Sequence, residues 1–172
     1  PEDPALWHSV VVPAGALVEG ENTLSVVSPK ITDDIEAGDF QWANASGLGE
    51  LFQGDLDVTV SDADTDKPIP CRITIVDEAG TRAALWPGRT RQQLVHRSGV
   101  IYTSSGRAQF KLRPGRYTLY ASRGFEYSVA KVNLEVATSV SRQVQLKIRR
   151  EVPTPGLVSV DTHIHTLTRS GH

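Results

Sequence analysis

Three residues near the end of the chain have the types and spacing of metal ligands: Asp161, His163 and His165, within Asp161-Thr162-His163-Ile164-His165. In an extended backbone alternate side chains point to one face, so His163 and His165 can reach a single ion from a strand end. Imidazole nitrogen suits zinc, iron, manganese or nickel. Asp161 shares that face, and either ligates the ion or accepts a hydrogen bond from a ligand's free ring N–H. The plainer alternative is two exposed histidines, and spacing alone leaves both open. His172, after Ser170-Gly171, reads as a loop residue, and His8 and His96 have no neighbouring carboxylate or cysteine. The single cysteine, Cys71, excludes an internal disulfide and lies in an apolar strand pattern, which predicts a buried, inert thiol.

The elements that would position these groups are strands. No stretch sustains apolar residues at helical spacing over three turns, whereas period-two alternation recurs. Residues 10–12 read as a strand ending in the turn Pro13-Ala14-Gly15. Residues 23–27 read as a second, after the turn Gly20-Glu21-Asn22. Residues 33–53 form an irregular connection with room for one short helical turn. Leu56, Val58 and Val60 then alternate with Asp55, Asp57, Thr59 and Ser61, and Cys71, Ile73 and Ile75 alternate with Arg72, Thr74 and Val76. An excursion over 81–99, with Trp86-Pro87-Gly88 at its tip, has little periodicity. Further strands follow at 100–103, 108–112, 117–121, 130–136 and 140–148, with a tight turn at Arg113-Pro114-Gly115-Arg116. Short strands separated by Gly/Pro turns predict an all-β chain folded as a β-sandwich over 54–150, with closure into a barrel as the alternative. Pro153 and Pro155 predict an extended linker over 151–156, and 157–160 read as a fresh strand leading into the histidines.

Charge and composition exclude some classes of function. A formal net charge of -2 carries no electrostatic footprint for nucleic acid. Arg82, Arg89, Arg91 and Arg97 cluster locally and read as a solvated loop face. No apolar run reaches the roughly 18 residues of a membrane span. The chain opens on Pro1 and contains no methionine, which predicts a processed chain or an excised piece of a longer one.

Several motifs together resemble the CehA/McbA-type PHP metallohydrolases. They are Asp62-Ala63-Asp64-Thr65-Asp66-Lys67-Pro68-Ile69-Pro70-Cys71-Arg72-Ile73, Leu112-Arg113-Pro114-Gly115-Arg116-Tyr117-Thr118-Leu119, Arg123-Gly124-Phe125-Glu126-Tyr127, and the downstream Asp161-x-His163-x-His165. The resemblance implies a transthyretin-like or carboxypeptidase regulatory-like sandwich, then the truncated first strand of a PHP-type barrel at 157–172. It also implies that Asp161, His163 and His165 belong to a divalent transition-metal centre of zinc, manganese or iron in a longer parent. That parent would hydrolyse its substrate with metal-bound hydroxide. The partner of this chain would be the missing C-terminal hydrolase domain, the chain alone would be inactive with no tightly bound metal, and the parent would be exported. Glu126 would either lock onto an arginine near the hydrolase junction or sit in a simple strand-turn. Residues 7–27 resemble the last strands of galactose-binding-like jelly rolls. That implies that 1–32 are the end of an upstream β domain or edge strands packed on the sandwich. The alternative is a stand-alone carbohydrate- or protein-binding sandwich with incidental histidines, whose 81–99 loop is the binding surface. Trp86 in that loop would stack on a ligand or pack internally.

Overall fold

Period-two alternation becomes eight strands in the computed structural model, which describes residues 10–27, 38, 40–45, 48–87, 94–157 and 160. They are β1 (Gly54–Asp62), β2 (Cys71–Asp77), β3 (Leu94–Arg97), β4 (Val100–Thr103), β5 (Arg107–Leu112), β6 (Gly115–Ser122), β7 (Ala130–Val136) and β8 (Ser141–Ile148). A three-stranded sheet has the order β5-β1-β8 and a five-stranded sheet the order β3-β4-β2-β6-β7. β1 pairs parallel with β8, and the other ladders are antiparallel. The chain is thus all-β and folded as a two-sheet sandwich, as the alternation predicts. Among the described residues, one helical turn occurs, a 3₁₀ turn at Leu48–Leu51.

The apolar faces of both sheets meet in one buried cluster. Leu56, Val58 and Val60 of β1 join Ile73 and Ile75 of β2, Phe110 and Leu112 of β5, Leu119 of β6, and Val144, Leu146 and Ile148 of β8. Each large side chain removed from water contributes about 1.5–3 kcal/mol, and packing on both sides fixes register, since a one-residue slip would turn that face to solvent.

Pro114-Gly115 differs from expectation. It reads as a hairpin turn, yet β5 and β6 belong to different sheets, so it is a corner where the chain changes layer. Tyr117 ties the corner by donating its hydroxyl to the Arg113 carbonyl at 3.0 Å. The excursion over 81–99 also hides β3, which forms a hairpin with β4 through Ser98-Gly99. β3 escapes periodicity because Leu94, Val95, His96 and Arg97 form a short edge with no core-facing alternation.

The N-terminal strands do not form. Both turns are present: Ala16 donates to the Pro13 carbonyl at 3.1 Å, and the Asn22 carboxamide closes on Val18 through its backbone N–H and carbonyl. Residues 10–12 and 23–27 nevertheless lie outside any strand, and their valines are exposed, Val10 by 82% and Val27 by 78%. β-branched residues favour a strand only where a neighbouring strand supplies the ladder, and among the described residues none lies alongside. The packing of this segment on the sandwich is corrected accordingly. The linker also turns instead of running extended. Leu157 donates to the Thr154 carbonyl at 3.2 Å around Pro155-Gly156, and Gly156 takes φ +76, as a turn with Pro then Gly at its centre requires. Leu157 and Val160 are described outside any strand, and the rest of the predicted first strand of a PHP-type barrel, residues 158–159 and 161–172, lies outside the described residues.

Candidate functional site

Asp161, His163 and His165 lie outside the described residues, as do His8 and His172. Among the described residues, no group of three or more His, Cys, Asp or Glu side chains stands close enough to hold a metal ion. The Asp62-x-Asp64-x-Asp66 turn, which concentrates carboxylates, spends them internally. The Asp62 carboxylate accepts from the backbone of Thr65 at 2.9 Å and of Asp64 at 3.0 Å, which holds its carboxyl below the usual value. Asp64 pairs with Arg149 and Asp66 with Lys147, both from the end of β8. Cys71 is buried, and desolvation pushes its thiol up to about 11, so it is no nucleophile at neutral pH.

The loop between β6 and β7 brings together a polar cluster around Glu126. Glu126 takes a fork from Arg150, with Nε at 3.0 Å and Nη2 on the same carboxylate oxygen. Thr154 donates its hydroxyl to the other oxygen at 3.1 Å. The Glu126 carbonyl accepts the backbone N–H groups of Glu151 and Val152, at 2.8 and 3.2 Å, and Tyr127 forms a β-bridge with Arg150. The Arg123 and Arg150 guanidiniums lie 5.4 and 5.9 Å from the Tyr127 ring centroid. The Arg150 hydrogen bond, with Thr154 and nearby positive charge adding, holds the Glu126 carboxyl below its ordinary value. Of the two readings open for Glu126, the lock onto an arginine is the one found. The β6–β7 loop is fastened to the segment leaving β8.

Trp86 packs internally. It stacks on buried Phe52 with ring centroids 6.2 Å apart, and its backbone exchanges two hydrogen bonds with Lys111 of β5, at 2.9 and 2.7 Å. The segment before it is pinned by Ala83 donating to the Ile75 carbonyl. Trp86 therefore covers part of the open edge of β5, Arg82 and Ala83 are bonded to the end of β2, and 88–93 lie outside the described residues. That removes the covered part of the excursion as a free binding loop. A shallow open cleft of about 250 Å³ lies between Asp55, Glu135, Val136, Ala137, Val140 and Arg142, and Asp55 there is already paired with Lys111 at 3.0 Å.

Arg97 belongs to a strand and not to a solvated loop, Arg82 forms a β-bridge with Val76, and Arg89 and Arg91 lie outside the described residues. The sequence reading missed what Arg97 joins: a row of cations and tyrosines across the outer face of the five-stranded sheet. Alternation in β2 and β6 already turns Arg72 and Tyr120 outward. Their neighbours depend on the strand order, which alternation does not contain.

No protein-family model matches this chain, and no curated protein matches it. Solved structures with some similarity include the minor pilin GBS52 of Streptococcus agalactiae, at 21% identity and TM-score 0.45 over 64% of this chain and 50% of that one. The shaft pilin SpaA of Lactobacillus rhamnosus GG gives 11% identity and 0.41 over 59% and 47%. The group B streptococcus pilus 2b backbone protein gives 11% and 0.37 over 57% and 41%. The chain spans about half the length of these structures, and likenesses of this size speak to neither ligand nor partner.

These solved structures are pilins and not N-terminal regions of PHP hydrolases, which corrects the resemblance, and among the described residues no metal-holding group supports the hydrolase and metal-binding reading. The physical reason lies in the motifs. Pro114-Gly115 and Tyr117 build a layer-changing corner, Asp62 to Pro68 build a self-satisfied turn, and Glu126 holds the exit of β8. Each serves the sandwich itself and so carries no information about what a longer chain adds.

Proposed function

We propose that this chain is a non-catalytic β-sandwich module that binds protein or carbohydrate and holds the polypeptide leaving it in a fixed direction. An exported, surface-exposed setting belongs to the same proposal. The observation that carries it is the Glu126 clamp. A module serving as a rigid part of a larger surface must transmit orientation, and loops do so poorly unless their backbone groups are bonded. Here the exit segment is held by a forked ion pair, a threonine hydroxyl and two main-chain hydrogen bonds. The outer face of the five-stranded sheet, and not residues 81–87 of the excursion, is the open surface for a ligand.

Amide hydrogen exchange tests the reading. Glu151 and Val152 should be protected well above free-peptide rates, and Glu126→Gln should reduce that protection while leaving β1 and β6 unchanged. Exchange at free-peptide rates in the wild-type chain would remove the clamp as its basis. Turnover of a simple ester, phosphoester or amide by the chain, abolished by His163→Ala, would overturn the non-catalytic assignment.

A further inference from the structure

The outer face of the five-stranded sheet has an unusual charge distribution. Tyr102 of β4 stands opposite Val95 of β3 and Arg72 of β2, and Tyr120 of β6 stands opposite Thr74 of β2 and Lys131 of β7. These positions alternate with the core residues Ile73, Ile75, Ile101, Leu119 and Ala121, so they face away from the other sheet. The Arg72 and Arg97 guanidiniums, one from the strand on either side, lie 5.9 and 5.7 Å from the Tyr102 ring centroid. Arg97 also donates to the Tyr102 hydroxyl at 2.9 Å, and Arg72 to the Thr74 hydroxyl at 3.2 Å. Lys131 lies 5.6 Å from the Tyr120 centroid.

Among the described residues none of these three cations pairs with a carboxylate. Asp55, Glu78, Asp66, Asp64 and Glu126 are paired with Lys111, Arg116, Lys147, Arg149 and Arg150. The acids of this face, Glu78 and Glu135, are at its far end, next to Arg116. In a chain of formal net charge -2, three cations spread from β3 to β7 with no counter-charge are a local excess. Neighbouring strands are about 4.8 Å apart, so the row extends about 19 Å. Tyrosine contacts hold the cationic groups against the sheet and reduce the entropy lost when they bind an anion.

We propose that this row binds a linear polysaccharide bearing carboxylates, an inference that rests on the binding half of the function proposed above. A β face with cations spaced across its strands suits an extended polymer with regularly spaced anions, and guanidinium forks match carboxylate geometry. Nucleic acid fits less well. Single strands need open aromatic faces on which bases stack, and those of Tyr102 are flanked by guanidiniums. An acidic peptide added as a strand would use a sheet edge, and the row crosses the face.

The test titrates the whole chain with polygalacturonate oligomers at low salt, beside neutral dextran, dextran sulfate, oligo-dT and polyglutamate. Polygalacturonate should bind, dextran should not, and affinity should fall on the order of tenfold between 50 and 150 mM salt. The triple variant Arg72→Ala, Arg97→Ala, Lys131→Ala should lose at least about tenfold in affinity with its melting temperature kept. Arg116→Ala, at the far end and tied to Glu78, should bind as the wild type does. No binding by the wild type overturns the inference, as does an undiminished triple variant or an equal loss in Arg116→Ala. Tighter binding of dextran sulfate, oligo-dT or polyglutamate overturns the ligand class. If binding fails while the exit amides stay protected, the ligand assignment falls and the clamp proposal stands.

Discussion

Glu126 shows how a single side chain can fasten two distant parts of the chain. Its carboxyl is held below the ordinary 4.5 chiefly by the Arg150 hydrogen bond. A group whose folded pKa is lowered stabilises the fold above its unfolded value and loses that contribution as pH falls through the folded one. Protection of the Glu151 and Val152 amides should therefore hold at neutral pH and decline as pH drops below about 4.5, and Glu126→Gln should flatten that dependence. Cys71 gives a second prediction at this scale. With its thiol pushed up to about 11 by burial, Ellman's reagent at pH 8 should label it only as fast as the fold opens. Rapid stoichiometric labelling of the native chain would contradict its burial. Glu126 was open to two readings in the sequence, because Arg150 lies 24 residues away and only folding brings the two within bonding distance.

At the scale of elements, close backbone approaches set the connections between strands. Gly106, between β4 and β5, has φ +72, and a Cβ there would lie 2.6 Å from the Ile69 nitrogen and 2.7 Å from the Val60 carbonyl. Both neighbours are backbone, so neither can yield cheaply. Gly106→Ala should cost about 1–3 kcal/mol from conformation alone, and more from the clash, measured by urea denaturation. Ile73, fully buried in β2, should cost about 2–5 kcal/mol as Ile73→Ala. Strands with a core face were legible because burial imposes alternation on them. β3 was not, since an exposed four-residue edge carries no such constraint. The N-terminal strands were read from β-favouring residues bounded by turns, and propensity without a pairing partner makes no strand.

At the scale of the molecule, β1 is the keystone: it pairs with β5 on one side and on the other with β8, where Asp55 stands opposite Ser141 far along the chain. Slowest amide exchange should map to β1, β2, β4 and β6, the strands with neighbours on both sides, and the edge strands β3 and β7 should exchange faster. The sequence by itself determined that the chain is all-β, which residues line the core, and where most turns fall. Those features follow from local chemistry: alternation from burial, turns from the φ limits of proline and glycine. The metal-ligand spacing of Asp161, His163 and His165 was equally legible, but spacing cannot assign a function, and those residues lie outside the described part. Only the tertiary structure decided that Pro114-Gly115 changes layer, that Trp86 covers an edge, and that Arg97, Arg72 and Lys131 share one face. Strand order sets all three, and it is chosen by the combined packing of both sheets, which no single segment encodes.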